Sequence, residues 1–187
     1  METMSGSNRP RGHTGSIFYN VIEYNISGNT SVYRNAAMGY INFLHGVNPI
    51  STVMLTNMYD DGAEKPANEM YHSWFAHGTN YDNAITSLYG PAPGYQPGGF
   101  NPYFHPDPSF SGDIVPPELQ PSLKSYKDWN TSWPENSWEI TETSISNQGS
   151  YVKLLSRFVS APCVKTITNA YDSGFGTLRQ AIACANA

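Results

Sequence analysis

Two glutamates three residues apart, Glu139 and Glu142, stand immediately before an apolar-periodic run in the stretch SWEITETSISNQGSYVKLL, residues 137–155. Two readings of Glu142 are open. It is an acidic residue favourable to the dipole of the helix that follows, or it is a carboxyl group that delivers a proton in an active site. Aromatic side chains crowd the same region: Tyr126, Trp129, Trp133 and Trp138 flank proline and polar residues in a segment without helical period. An acidic, aromatic, loop-built cleft suits glycoside hydrolysis, in which one carboxyl group protonates the leaving oxygen and a second activates water or attacks directly.

Other chemistries find less support. The ligand spacing that a metal site needs does not appear, so no cofactor or metal is expected. A G-x-S-x-G elbow for a nucleophilic serine is also absent. His72, within NEMYHSWF, sits among aromatics, and Asp60-Asp61 before Gly62 is most economically a turn.

These groups must be held by elements that the pattern only partly declares. Residues 31–46 place Tyr33, Ala36, Ala37, Tyr40, Ile41 and Leu44 on one helical face, with Ser31 to cap the start, Gly46 to end it and Pro49 to forbid continuation. From 47 to 136 turn-rich text dominates, and its aromatic content argues against disorder and for a binding surface built of loops. Order returns at Ile145, where Tyr151, Val152, Leu154, Leu155, Phe158 and Val159 trace a second helical face ended by Pro162. Then VKTIT reads as a strand, YDSGFG as a turn, and TLRQAIACANA as a short helix capped by Thr177. The division expected is 1–160 and 161–187.

Composition limits the partners. The 187 residues carry 10 Lys+Arg against 15 Asp+Glu and no basic block, which argues against nucleic acid. No run of eighteen apolar residues occurs, so no membrane span is expected. The 13 Tyr, 8 Phe and 4 Trp suit a ligand with flat apolar faces and many hydroxyls, such as a sugar. Cys163 and Cys184 fit a disulfide or two small buried side chains equally well.

Specific segments carry a resemblance. Tyr126-Lys-Asp128 followed by Trp138-Glu-Ile-Thr-Glu142-Thr-Ser144 resembles the C-terminal signature of glycoside hydrolase family 9, the inverting cellulases. FLHGVNPISTVMLTNMY resembles that family's helix ending in a Gly-x-Asn-Pro turn, NEMYHSWF the aromatic histidine loop of its Bacteroidetes-type members, and YGPAPGYQPGGFN their substrate loop, with Phe100 where proline is usual. The resemblance runs over roughly residues 14–159. It implies an all-α fold, the C-terminal portion of an (α/α)6 barrel with long loops, followed by a short β-containing tail. It implies that Glu142 is the general acid, that His72, Tyr71, Trp74 and Tyr95 contact a β-glucan substrate, and that Tyr126 and Asp128 hold structural and cleft-lining positions of the binding site.

The family's Asp-Ala-Gly-Asp motif, which carries its water-activating aspartates, does not occur in these residues. The resemblance therefore implies a piece of a longer secreted enzyme, with Met1 internal or a remnant of a broken gene and the isolated piece inactive. A non-catalytic carbohydrate-binding or adhesion module is the alternative. TITNAYDSGFGTLRQAIACANA is similar to the leader of secreted right-handed β-helix repeat domains.

Overall fold

The computed structural model describes residues 5–71, 78–81, 86–159, 167–168, 170–171 and 177–185. The elements run α1 (Asn8–Glu23), α2 (Thr30–Leu44), β1 (Val53–Thr56), β2 (Pro66–Ala67), α3 (Trp138–Thr141), α4 (Ile145–Leu155) and α5 (Leu178–Ala185). Two compact units divide between Arg157 and Phe158. The second unit contributes α5. The strand expected over 164–168 lies largely outside the described residues, and Ile167 and Thr168 belong to no strand. Cys163 also lies outside, so the cysteine pairing does too.

Helix α1 has no counterpart in the apolar pattern, because the face it buries is made of Asn8, Arg11, Gly12, Gly15 and Ser16. Those positions keep the helical spacing of three and four but are small or polar. Their smallness is what the packing uses: a Cβ on Gly12 would lie 2.8 and 2.9 Å from the Ser150 carbonyl carbon and oxygen, and one on Gly15 would lie 2.5 Å from Leu154 Cδ2. The contacts ascend along both helices, Gly12 with Ser150, Gly15 with Leu154, and Glu23 with Arg157, whose guanidinium meets the carboxylate through two contacts of 2.8 Å. Helices α1 and α4 therefore run parallel and start at the same end.

Helix α2 returns beside α1, stacking Tyr33 and Tyr40 on Phe18 at 6.4 and 6.0 Å between ring centres. Its cap lies two residues earlier than expected: Asn29 is the N-cap, and Ser31 lies within the first turn. Gly46, at φ +104°, ends it as expected. His45 and Tyr151 share a 2.9 Å hydrogen bond that ties the end of α2 to α4. Helix α4 begins where the sequence places it and ends at Leu155, short of the periodic Phe158 and Val159.

Arg11 anchors the core beneath these helices. Its guanidinium lies 4.6 Å from the Phe43 ring centre and 5.4 Å from that of Phe100, and donates to Ser7 Oγ at 2.7 Å. Burial pulls its pKa down to about 10, so it remains a cation at neutral pH. A desolvated cation over an aromatic face contributes about 2 kcal/mol. Phe100, fully buried, also packs on Phe43 and Tyr126. A proline at position 100 would supply neither ring contact nor cation partner.

Among the described residues of 47–136 the regular elements are β1 and β2, a short parallel pair that the turn-rich text does not announce. Asn48 organises its first turn, donating to Phe43 O and Thr52 O at 2.8 and 2.7 Å.

Candidate active site

Glu142 sits in the short extended link between α3 and α4 (φ −65°, ψ 129°), two residues before Ser144, whose hydroxyl caps α4 by accepting the Asn147 amide at 3.1 Å. It lies outside the helix, two residues before the cap, a position that suits both an acid facing the helix dipole and a proton donor. The approach to the link is fixed by two bonds. Thr141 Oγ1 donates to Trp129 O at 2.9 Å, and the Gly99 amide donates to Ile140 O at 2.9 Å.

Residues 97–99 join this link to α1. Asn8 donates through its backbone amide to Gly98 O at 2.9 Å and through Nδ2 to Pro97 O at 3.0 Å. Gly99 admits no larger residue, since at φ +105° a Cβ would lie 2.6 Å from the Asn8 side chain, and Gly98 is tight, with an added Cβ 3.0 Å from Ile140 O.

A cavity of about 530 Å³ opens where the starts of α1 and α4 meet. Glu142 and Trp138 wall one side, Arg9, His13 and Thr14 of α1 another, and Ser144, Ser146 and Asn147 the third. Hydroxyls, an amide, two basic side chains and an indole surround one carboxyl group. That set can hydrogen-bond a polyhydroxylated ligand, offer a face to its C–H surface and deliver a proton to it.

Glu139 is placed differently. It is half-buried, accepts Asn101 Nδ2 at 2.9 Å, and is not part of the cavity wall. Burial raises its pKa, against the opposing effect of Asn101.

Among the described residues expected at the site, Glu142 is the one that walls the cavity. His72 and Trp74 lie outside the described residues. Tyr71 is half-buried on the strap that leads to them; its amide donates to Thr141 O at 3.3 Å, next to Glu142, and its hydroxyl meets Ser132 Oγ at 3.2 Å. Tyr95 is half-buried; its carbonyl accepts the Thr56 amide at 2.8 Å and its amide donates to Thr56 Oγ1 at 3.0 Å, at the edge of β1. Tyr126 and Asp128 border a separate cavity of about 560 Å³.

Tyr126 and Asp128 hold the strap in place. Asp128 accepts the Asn68 and Glu69 amides at 2.6 and 3.2 Å and the Tyr126 hydroxyl at 3.0 Å, while Asn130 Nδ2 donates to Met70 O at 2.7 Å. Burial and the adjacent Asp128 keep the Tyr126 phenol protonated, well above its ordinary pKa. Asp128→Ala should lower stability by about 2 kcal/mol, read as the urea midpoint, with faster amide exchange at Asn68 and Glu69. Equal exchange at those two amides would show that the carboxylate does not hold them.

Comparison with known families matches residues 1–155 to glycosyl hydrolase family 9. The chain belongs to that family. Its members adopt the (α/α)6 barrel, and the mostly helical body with one small parallel sheet is consistent with part of such a barrel. Comparison with curated proteins and with solved structures gives no significant match.

Within this family 9 chain the wall contributed by α1 is what sequence reasoning missed. The signal that could have found it is Gly12, Gly15 and Ser16 at helical spacing after Gly6-Ser-Asn8. Among the described residues no group of three or more histidines, cysteines or carboxylates is gathered to hold a metal, and no helix is long and apolar enough to cross a membrane.

Proposed function

We propose that the chain supplies the proton-donor side of an inverting β-1,4-glucan hydrolase, acting outside the cell on cellulose or a related glucan. Glu142 protonates the glycosidic oxygen as the bond breaks, while a water on the opposite sugar face is activated by a carboxylate that another part of the family's catalytic domain contributes. The observation that carries this reading is the position of Glu142, on a fixed non-helical link in the wall of a 530 Å³ cavity beside Trp138, in a chain of this family. The two basic side chains opposite, Arg9 and His13, bond sugar oxygens in this reading, and Tyr71 approaches from the strap.

A specific observation supports the binding-module reading as well: among the described residues the cavity wall holds one carboxylate, and inverting hydrolysis needs two. Electrophoresis through gels containing soluble β-1,4-glucan, with reducing-sugar release followed in parallel, separates the two. Retardation is expected on either reading. Release that depends on Glu142 supports the enzyme, and retardation without release from a complete catalytic domain supports the module. Mobility unchanged on every β-glucan tried would remove both.

A further inference from the structure

Helix α1 contributes two basic residues, Arg9 and His13, to the wall of the Glu142 cavity. They stand four residues apart, neighbours on one helical face. Among the described residues neither side chain is engaged: the Arg9 guanidinium and the His13 imidazole have no hydrogen bond, ion pair or ring contact. Arg11 and Arg157 differ, the first bonding Ser7 beneath the Phe43 ring and the second pairing with Glu23. Arg9 and His13 therefore hold no part of the fold together through their charged ends.

Their surroundings add positive potential. The cavity lies where α1 and α4 begin, so the positive ends of both helix dipoles are near it, and neither helix has an acid in its first turn. Glu142 is the one carboxylate of the described wall. A neutral glucan offers hydroxyls, which Thr14, Ser146 and Asn147 of the same wall can bond. It gives a guanidinium fork no partner of opposite charge. A carboxylate does, because its two oxygens match the fork in two parallel N–H···O bonds that charge strengthens.

We propose that Arg9, assisted by His13, selects β-linked glucan chains that carry a carboxylate, as a glucuronate unit does, and seats that carboxylate on the α1 wall. The inference rests on the glucan reading above and names a charged substituent for the same site. The protein's overall charge works against such a chain, since 15 Asp+Glu outnumber 10 Lys+Arg. Preference for an anionic chain has to arise locally.

Calorimetric titration of the whole chain with cellohexaose, and with cellohexaose whose primary hydroxyls are partly oxidised to carboxylates, tests it. The oxidised hexamer should bind about ten-fold more tightly, the gain expected of a hydrogen bond to a charged group. Arg9→Gln should remove most of that gain, and Arg9→Lys, which keeps the charge and loses the fork, should restore part of it. Added salt should shrink it as well. Arg9 is exposed, so far-UV circular dichroism and the urea midpoint of both variants should match the parent. A galacturonate hexamer separates recognition of a carboxylated glucan from attraction of any polyanion, and it should bind more weakly than the oxidised hexamer. Equal affinity for the two glucan hexamers, a gain that survives Arg9→Gln, or galacturonate bound as tightly would overturn the proposal and leave the glucan reading standing. A parent that binds neither glucan hexamer would overturn both.

Discussion

Glu142→Gln should lower hydrolysis of unactivated β-1,4-glucan by about 10² to 10⁴ when the chain acts within the complete catalytic domain, the usual worth of general acid assistance. The amide fills the same space and keeps a hydrogen bond to the glycosidic oxygen, but it has no proton to give. Aryl glucosides with good leaving groups depend little on that proton, so their turnover should fall far less. Glu139→Gln supplies the contrast. Its carboxyl bonds Asn101 away from the cavity wall, and the rate should stay within a few-fold of the parent. Equal losses on activated and unactivated substrates, or a larger loss for Glu139→Gln, would take Glu142 out of the proton-donor role.

Gly12→Val should cost about 3 kcal/mol, because two of the atoms a Cβ would meet are backbone atoms of Ser150 that cannot rotate aside. Helices α1 and α4 would have to part, and with them the two walls that carry Arg9, His13 and Glu142. Gly39 and Gly149 provide an internal comparison. Both lie in helices, exposed, with nothing within 4 Å of an added Cβ. Replacing either by alanine should raise stability by about 0.5–1 kcal/mol through helix propensity alone. Thermal unfolding of the three variants checks the opposite signs. A neutral Gly12→Val would mean that the parallel pair is not packed through this contact.

The contrast between these glycines also explains what the sequence discloses. Helix α2 is legible because its inward positions are apolar: Ala37, Ile41 and Leu44 are buried where the period puts them. The start of α4 is legible from Ser144 followed by the periodic run. Helix α1 is not, since its inward face contains Asn8, Arg11 and two glycines, and Pro10 lies in its first turn. Hydrophobic periodicity reports apolar burial, whereas this face is buried by close backbone approach and by a guanidinium between two rings. The same blindness hides half of the candidate site. Glu142 stands out by its place before a helix, while Arg9, His13 and Thr14 stand on the helix that no pattern announced. Sheet β1–β2 escapes notice for a different reason: four residues and two residues are too short to establish alternation.

One three-residue segment, 97–99, is bonded on one side to Asn8 at the start of α1 and on the other to Ile140 on the approach to Glu142. The gap between those flanks is therefore set locally, as the jaws of a caliper are set by their screw. The coil that follows adds a second hold on the same link, since its Trp129 carbonyl accepts Thr141 Oγ1 at 2.9 Å. The seat of Glu142 is thus braced from two well-separated parts of the chain.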